Sequence, residues 1–339
     1  MKRFLKKAIR TLFYLSGFIV ALFIILYLVT SGKYTVAKTA EEDPSIAHVT
    51  INQTVFHAET YGNDSNEVII VIHGGPGNDY RYLLDLKELA DEYFVVFYDQ
   101  RGTGLSPRVT RGELSLDTTL ADLAALVDHY AGEEEVILIG HSWGAMLAAG
   151  YIAKNPGRVS KAVLAEPGML TSEKAREYMN KFRITFTPRS VCFFLKTWFQ
   201  QLHIHRPDRQ AGMDYFFAQV GRADIPGNPM ANYFCHSDPK TASMDYWRYS
   251  WLSSQEIIRK GMDEEGNLQI DLVSGLENYH RKVLFLAGEC NTIIGPKYQE
   301  DHMKYFPEVE MVIIPDAGHT MIGEKPEESI AAIRKYLNE

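Results

Sequence analysis

Leu12 to Val29 runs eighteen residues without a charge, behind a segment, Met1 to Arg10, that carries Lys2, Arg3, Lys6, Lys7 and Arg10 and no acid. A helix of that length reaches about 27 Å, close to the roughly 30 Å of a hydrocarbon core. The run is longer than the apolar part of a cleaved signal peptide and no small-x-small cleavage site follows, which predicts an uncleaved anchor. Positive charge before the span puts the N-terminus in the cytoplasm and everything after Ser31 across the membrane. Sequons at Asn52 and Asn63 fit an exported domain. From Thr35 the pattern changes to short segments. Ala47–Ile51 and Val55–Tyr61 alternate and are bounded by turn residues, as in an antiparallel hairpin.

Val68–Ile72, Phe94–Tyr98, Val136–Ile139 and Lys161–Ala165 are short runs rich in Val, Ile, Leu and Phe, the signature of strands buried on both faces. Between them, 80–93, 118–130 and 144–155 repeat apolar residues at three and four spacing, giving the alternation of a doubly wound parallel sheet. The rhythm stops at Pro167 and resumes with Val283–Ala287, Val309–Ile314 and a helix over Pro326–Leu337. The stretch from Thr171 to His280 is rich in aromatic residues, Met, His and Arg and has no strand series. The predicted organisation is an anchor over 1–32, an α/β core over 33–170 and 281–339 with a mostly parallel eight-stranded sheet and helices on both faces, and a mainly helical insertion over 171–280.

With 339 residues, 46% of them hydrophobic, the chain can bury a large core, which excludes a disordered chain or a small disulfide scaffold. Thirty-five basic against 43 acidic residues leave a charge of −8, which argues against nucleic acid as a partner. Cys192, Cys235 and Cys290 are few and scattered, and read as small buried hydrophobes. Whether Cys192 and Cys235 pair after export stays open.

The chemistry is predicted at strand ends. Gly140-His141-Ser142-Trp143-Gly144 follows a strand and opens a helix, the context in which G-x-S-x-G lifts a serine hydroxyl clear of the sheet. Ser142 is the candidate nucleophile. His73-Gly74-Gly75-Pro76-Gly77 follows the third strand, and the Gly75 and Trp143 amides are the candidate oxyanion donors. A serine needs a base, and His319, after the last strand and just before the closing helix, has the right place in chain order. His73 and His141 read as structural or site-lining. His203 and His205 resemble a metal pair but lack a carboxylate or cysteine cluster to complete it.

Together, His73–Gly77, Asp99-Gln100-Arg101-Gly102-Thr103-Gly104-Leu105-Ser106 and the Ser142 motif resemble the α/β-hydrolase superfamily, and within it the proline iminopeptidase branch. The likeness covers about Asn66–Gly168 and Arg281–Leu337. It implies a cap over the site, built by the insertion, and a largely architectural 99–106 loop, with Arg101 bracing loops. It also implies a triad acid three residues after the glycine ending strand seven. Here that position is Asn291, which carries no charge. Glu166, after strand six, is the favoured substitute, as in superfamily branches similar to haloalkane dehalogenases; Glu289 is the alternative. The expected activity is hydrolysis of an ester or amide in a small molecule or peptide through an acyl-enzyme, with no cofactor or metal. An aminopeptidase, a carboxylesterase or lipase-like enzyme, and a non-catalytic binder on the same scaffold remain open. For an aminopeptidase, Glu173, Glu177, Asp208, Asp214 and Asp224 are candidate partners of a free amino terminus, and Trp198, Trp247 and Trp251 candidate pocket or cap-core aromatics.

Overall fold

The computed structural model describes residues 2–181, 185–205, 207–225, 227–237 and 246–339. Eight strands form one sheet: β1 (His48–Ile51), β2 (Thr54–Tyr61), β3 (Val68–Ile72), β4 (Phe94–Tyr98), β5 (Val136–His141), β6 (Val159–Ala165), β7 (Val283–Gly288) and β8 (Val309–Ile314). Their order is β1-β2-β4-β3-β5-β6-β7-β8, with β1 and β2 antiparallel to their neighbours and the rest parallel. Three strands coincide with the sequence expectation. β6 starts two residues early, where the β5–β6 register shifts between Val136 and Ile137 and admits Val159.

Each central strand divides its side chains between two cores, as the period of two requires. Val68, Ile70 and Ile72 of β3 face one side, with helix α2 (Leu116–Ala131) and helix α3 (Trp143–Lys154). Ile69 and Val71 face the other, with the segment Arg81–Asp91 and the C-terminal helix. The predicted helix over 80–93 is a 3₁₀ helix, Arg81–Asp91. Its buried Leu83, Leu86 and Leu89 are spaced by three, so a three-residue turn stacks all of them on the sheet. Helix α2 opens at Leu116 because the Ser115 hydroxyl accepts the Thr118 N–H.

β3 lies between β4 and β5 and is parallel to both, so the order in which strands join the sheet reverses there and a crevice opens beyond the carboxyl ends of β3 and β5. Between β6 and β7 come helices α4 (Ser172–Lys181), α5 (Pro188–Gln201), α6 (Ala211–Gly221) and α7 (Trp251–Gly261), with short 3₁₀ turns and one isolated bridge, Met262 to Leu268. Buried Arg248 joins this segment to the body. Its guanidinium meets Asp208 at 2.5 Å and Asp214 at 2.8 Å, and Arg108, after β4, meets Asp214 at 3.2 Å. After β7 come α8 (Pro296–Met303), α9 (Met321–Glu324) and α10 (Pro326–Leu337), the last as the sequence predicts.

Helix α1 (Lys2–Val29) is long and apolar enough to cross a membrane, and none of its spanning window is buried. Only its C-terminal part packs on the body, Phe23 against Phe199 and Tyr27 against His203. The cysteines depart from expectation. Cys235 and Cys290 form a disulfide, and Cys192 is exposed rather than buried. The fold brings the segment after α6 against the end of β7, a juxtaposition that no local spacing reveals.

Candidate active site

Between β5 and α3, Ser142 has φ 55° and ψ −115°, a conformation L residues avoid. The flanking glycines are there for lack of room. A Cβ on Gly144 would come within 2.0 Å of the Ile72 carbonyl oxygen, and one on Gly140 within 2.6 Å of the Gly144 oxygen. The Ser142 N–H donates to Ala165 O at 2.8 Å, and its side chain faces a cavity that His319 also lines. No hydrogen bond joins the Ser142 hydroxyl to the His319 ring; such bonds are often long before substrate fills a site.

His319 Nδ1 lies 2.5 Å from Glu166 Oε2. Glu166 is fully buried at the end of β6, with its own positive φ of 45°. Asn291 Nδ2 donates to the same oxygen at 2.6 Å and the Gly288 N–H to Oε1 at 2.9 Å. The orientation of Asn291 is fixed, because its Oδ1 accepts the N–H groups of Ile293 and Ile294. Glu166 is therefore met by donors only, and His319 presents Nδ1–H to it, leaving Nε2 free. Burial, joined by the nearby His141, holds the His319 imidazole well below its ordinary value, in its neutral form. Burial also pushes the Glu166 carboxyl up, opposed by the Asn291 and Gly288 donors. Glu289 is exposed and accepts the Asp316 N–H at 3.1 Å, away from His319.

A second histidine sets the loop that carries His319. Tyr82 OH accepts the Gly74 N–H at 2.7 Å and so gives its proton to His141 Nδ1, also at 2.7 Å. His141 Nε2–H is then left to donate to the His319 carbonyl at 2.7 Å. Burial lowers His141 to about 4, consistent with this neutral form. Gly75 and Trp143 both line the cavity, and the Trp143 N–H, first in α3, has no acceptor within the helix. The Trp143 indole N–H donates to Gln100 Oε1 at 2.9 Å, and His73 accepts the Gln100 N–H at 3.1 Å. Arg101 forks onto Asp122 at 2.8 and 2.6 Å, bracing the 99–106 loop against α2.

A family profile described as alpha/beta hydrolase fold matches residues 67–326, most of the chain. The chain belongs to the α/β-hydrolase fold family. It is 27% identical over 292 residues to a proline iminopeptidase of Heyndrickxia coagulans, covering 81% of this chain and 92% of that protein. It is 22% identical over 324 residues to epoxide hydrolase 1 of Caenorhabditis elegans, covering 91% and 75%. A crystal structure of a proline iminopeptidase-related protein from Thermus thermophilus superposes with a TM-score of 0.63 at 20% identity, over 86% of this chain and 96% of the other. Relatives named for different hydrolyses share the scaffold, so this α/β hydrolase has to be read from its own site.

Its cavity, about 370 Å³, is lined by Met146, Met169, Tyr178, Phe217, Val220 and Tyr249, among others. No Asp, Glu, Lys or Arg is among the described lining residues. The acids expected to meet a substrate's amino group are elsewhere: Asp208 and Asp214 hold Arg248, and Glu177 pairs with Lys174 and Lys181. Glu173 and Asp224 are not among the lining residues. Nor are Trp198, Trp247 and Trp251. His203 bonds to the Tyr27 carbonyl, and no group of three possible metal ligands occurs among the described residues. Sequence reasoning missed Asn291 as a donor, since it was weighed only as a missing charge. It also missed Tyr82 and the Cys235–Cys290 bridge, for which one sequence holds no local signal.

Proposed function

We propose that this α/β hydrolase is a membrane-anchored serine hydrolase cleaving uncharged acyl esters or amides, with residues 171–280 as its cap. The observation that carries the reading is the Glu166–His319 pair, 2.5 Å apart, opening on the cavity that Ser142 lines. In this mechanism His319 Nε2 takes the Ser142 proton as Oγ attacks the substrate carbonyl carbon, and Glu166 stabilises the imidazolium. The Gly75 and Trp143 N–H groups receive the developing oxyanion. The imidazolium then protonates the leaving alcohol or amine, giving the acyl-enzyme. Water, deprotonated by His319, attacks that ester and releases the acid and Ser142. Every step uses side chains and amides of this chain.

Among the described lining residues none is an Asp, Glu, Lys or Arg, which favours a substrate without an ammonium group beside the scissile bond, because a buried cation there would lack a counter-ion among them. An aminopeptidase of the proline iminopeptidase type is the second reading, favoured by the Heyndrickxia coagulans relative. The apolar α1 supports the anchor, with the basic flank in the cytoplasm, and the Cys235–Cys290 disulfide supports an oxidising compartment for the rest. A fluorophosphonate probe should label the wild type and spare Ser142→Ala; equal labelling refutes the nucleophile. Turnover of a p-nitrophenyl ester should exceed that of proline p-nitroanilide, and the reverse order selects the aminopeptidase.

A further inference from the structure

We propose that helix α5 lies in the surface of the bilayer that α1 crosses, so that the segment over the cavity rests on lipid. The inference rests on the anchor reading of α1. Outside α1, eight large apolar side chains are exposed among the described residues, and five of them fall between Met179 and Trp198. Val191, Leu195 and Trp198 are spaced by four and three, so they share one face of α5, and Phe186, 72% exposed, stands just before it. From Tyr178 to Pro207 the sequence holds no Asp or Glu, while Arg189 and Lys196 are exposed on α5. An apolar face with Trp, basic neighbours and no acid is the composition of a helix lying in a membrane interface.

Its depth is set by α1. The Phe23 ring is 5.0 Å from Phe199 of α5, and the Tyr27 ring 4.1 Å from His203 just beyond it. Phe23 precedes the end of α1 at Val29 by six residues, about 9 Å along a helix. If α1 spans the membrane, α5 is held at the level of the headgroup and acyl boundary, the 5–10 Å depth of an interfacial helix. A water-exposed face there would have to be lifted off its own anchor. Trp198 also lies two ring contacts from the cavity: 5.9 Å to Phe216, which is 5.1 Å from the cavity-lining Phe217.

Cys192, exposed on α5 and the one free thiol beside the disulfide, is a native reporter. The full chain, reconstituted in phosphatidylcholine–phosphatidylglycerol nanodiscs, is labelled at Cys192 with an environment-sensitive fluorophore. Two comparison proteins carry Cys192→Ser with Leu15→Cys in α1, or with Glu133→Cys, exposed just before β5 at the amino ends of the strands. The expected result is blue-shifted emission at 192, quenched by nitroxide lipid as at 15 and protected from iodide, with the reverse at 133. Quenching at 192 by iodide, while 15 stays in lipid, overturns the inference and leaves the anchor standing. Shielding at 192 from both quenchers also overturns it, in favour of a protein partner. Iodide quenching at 15 removes the anchor reading and this inference with it.

Discussion

Replacing Glu166 by Gln removes one charge at nearly constant shape, and the donors around the carboxylate determine the cost. Three N–H groups converge on it: Gly288 on Oε1 at 2.9 Å, and Asn291 and His319 on Oε2 at 2.6 and 2.5 Å. A glutamine has one acceptor oxygen and one NH₂, so in either orientation an NH₂ faces a donor. If it faces Gly288, one buried N–H is left unmade, at about 1–3 kcal/mol. If it faces Asn291 and His319, the imidazole must turn its Nδ1 lone pair to it and carry its proton on Nε2, where it cannot take one from Ser142. Either way the imidazolium loses its counter-charge, and turnover should fall by about 10⁴, or about 5 kcal/mol of barrier. The assay is the acylation burst with a p-nitrophenyl ester together with the fluorophosphonate labelling rate, and a thermal melt to show that the variant is folded. Glu289→Gln, which loses one exposed contact to the Asp316 N–H, should acylate like the wild type. A folded Glu166→Gln enzyme acylating within about tenfold of wild type, or a loss confined to Glu289→Gln, would refute the assignment.

With His319 neutral and held well below 6.5 by burial, the acid limb of kcat/KM should fall below pH 6.5 rather than at it; a limb above 6.5 contradicts the burial argument. His141, lowered to about 4, refuses protons that the unfolded chain accepts, so its contribution to stability is present above pH 6.5 and is lost as pH falls toward 4. The difference between wild-type and His141→Gln denaturation should shrink over that window. Non-reducing peptide mapping should recover Cys235 linked to Cys290 and Cys192 free. Reduction should cost roughly 4 kcal/mol for a loop closed across 55 residues, and should depress turnover because Tyr233 holds the His319 N–H at 2.8 Å.

What could be read without coordinates was whatever is repeated or local. The central strands are continuous apolar runs because each buries both faces, and the turn at Ser142 announces itself because Gly140 and Gly144 have no space for a Cβ. The 3₁₀ geometry of Arg81–Asp91 was open to a finer reading, since Leu83, Leu86 and Leu89 recur every three residues. The insertion yielded little, because its cohesion is long-range. Arg248 reaches across to Asp208, Asp214 and Ala37, partners that no window contains. Its acids looked available to substrate for the same reason.

In the proposed triad, residues 166 and 291 act as one choice. Strand six and strand seven are adjacent and parallel, so a side chain after either can reach the same imidazole edge. Carboxylates at both places would repel each other in a buried site and push one to protonate. With Glu at 166, position 291 has to supply a donor, and an amide does so at no cost in charge. The amide works only because its oxygen is already taken by the Ile293 and Ile294 N–H groups, which leaves its NH₂ no orientation but toward Glu166. In the proposed triad, Asn291 is therefore the support that Glu166 requires as the acid. The adjacent Cys290, bridged to Cys235 two residues from Tyr233, ties that support to the backbone that holds His319.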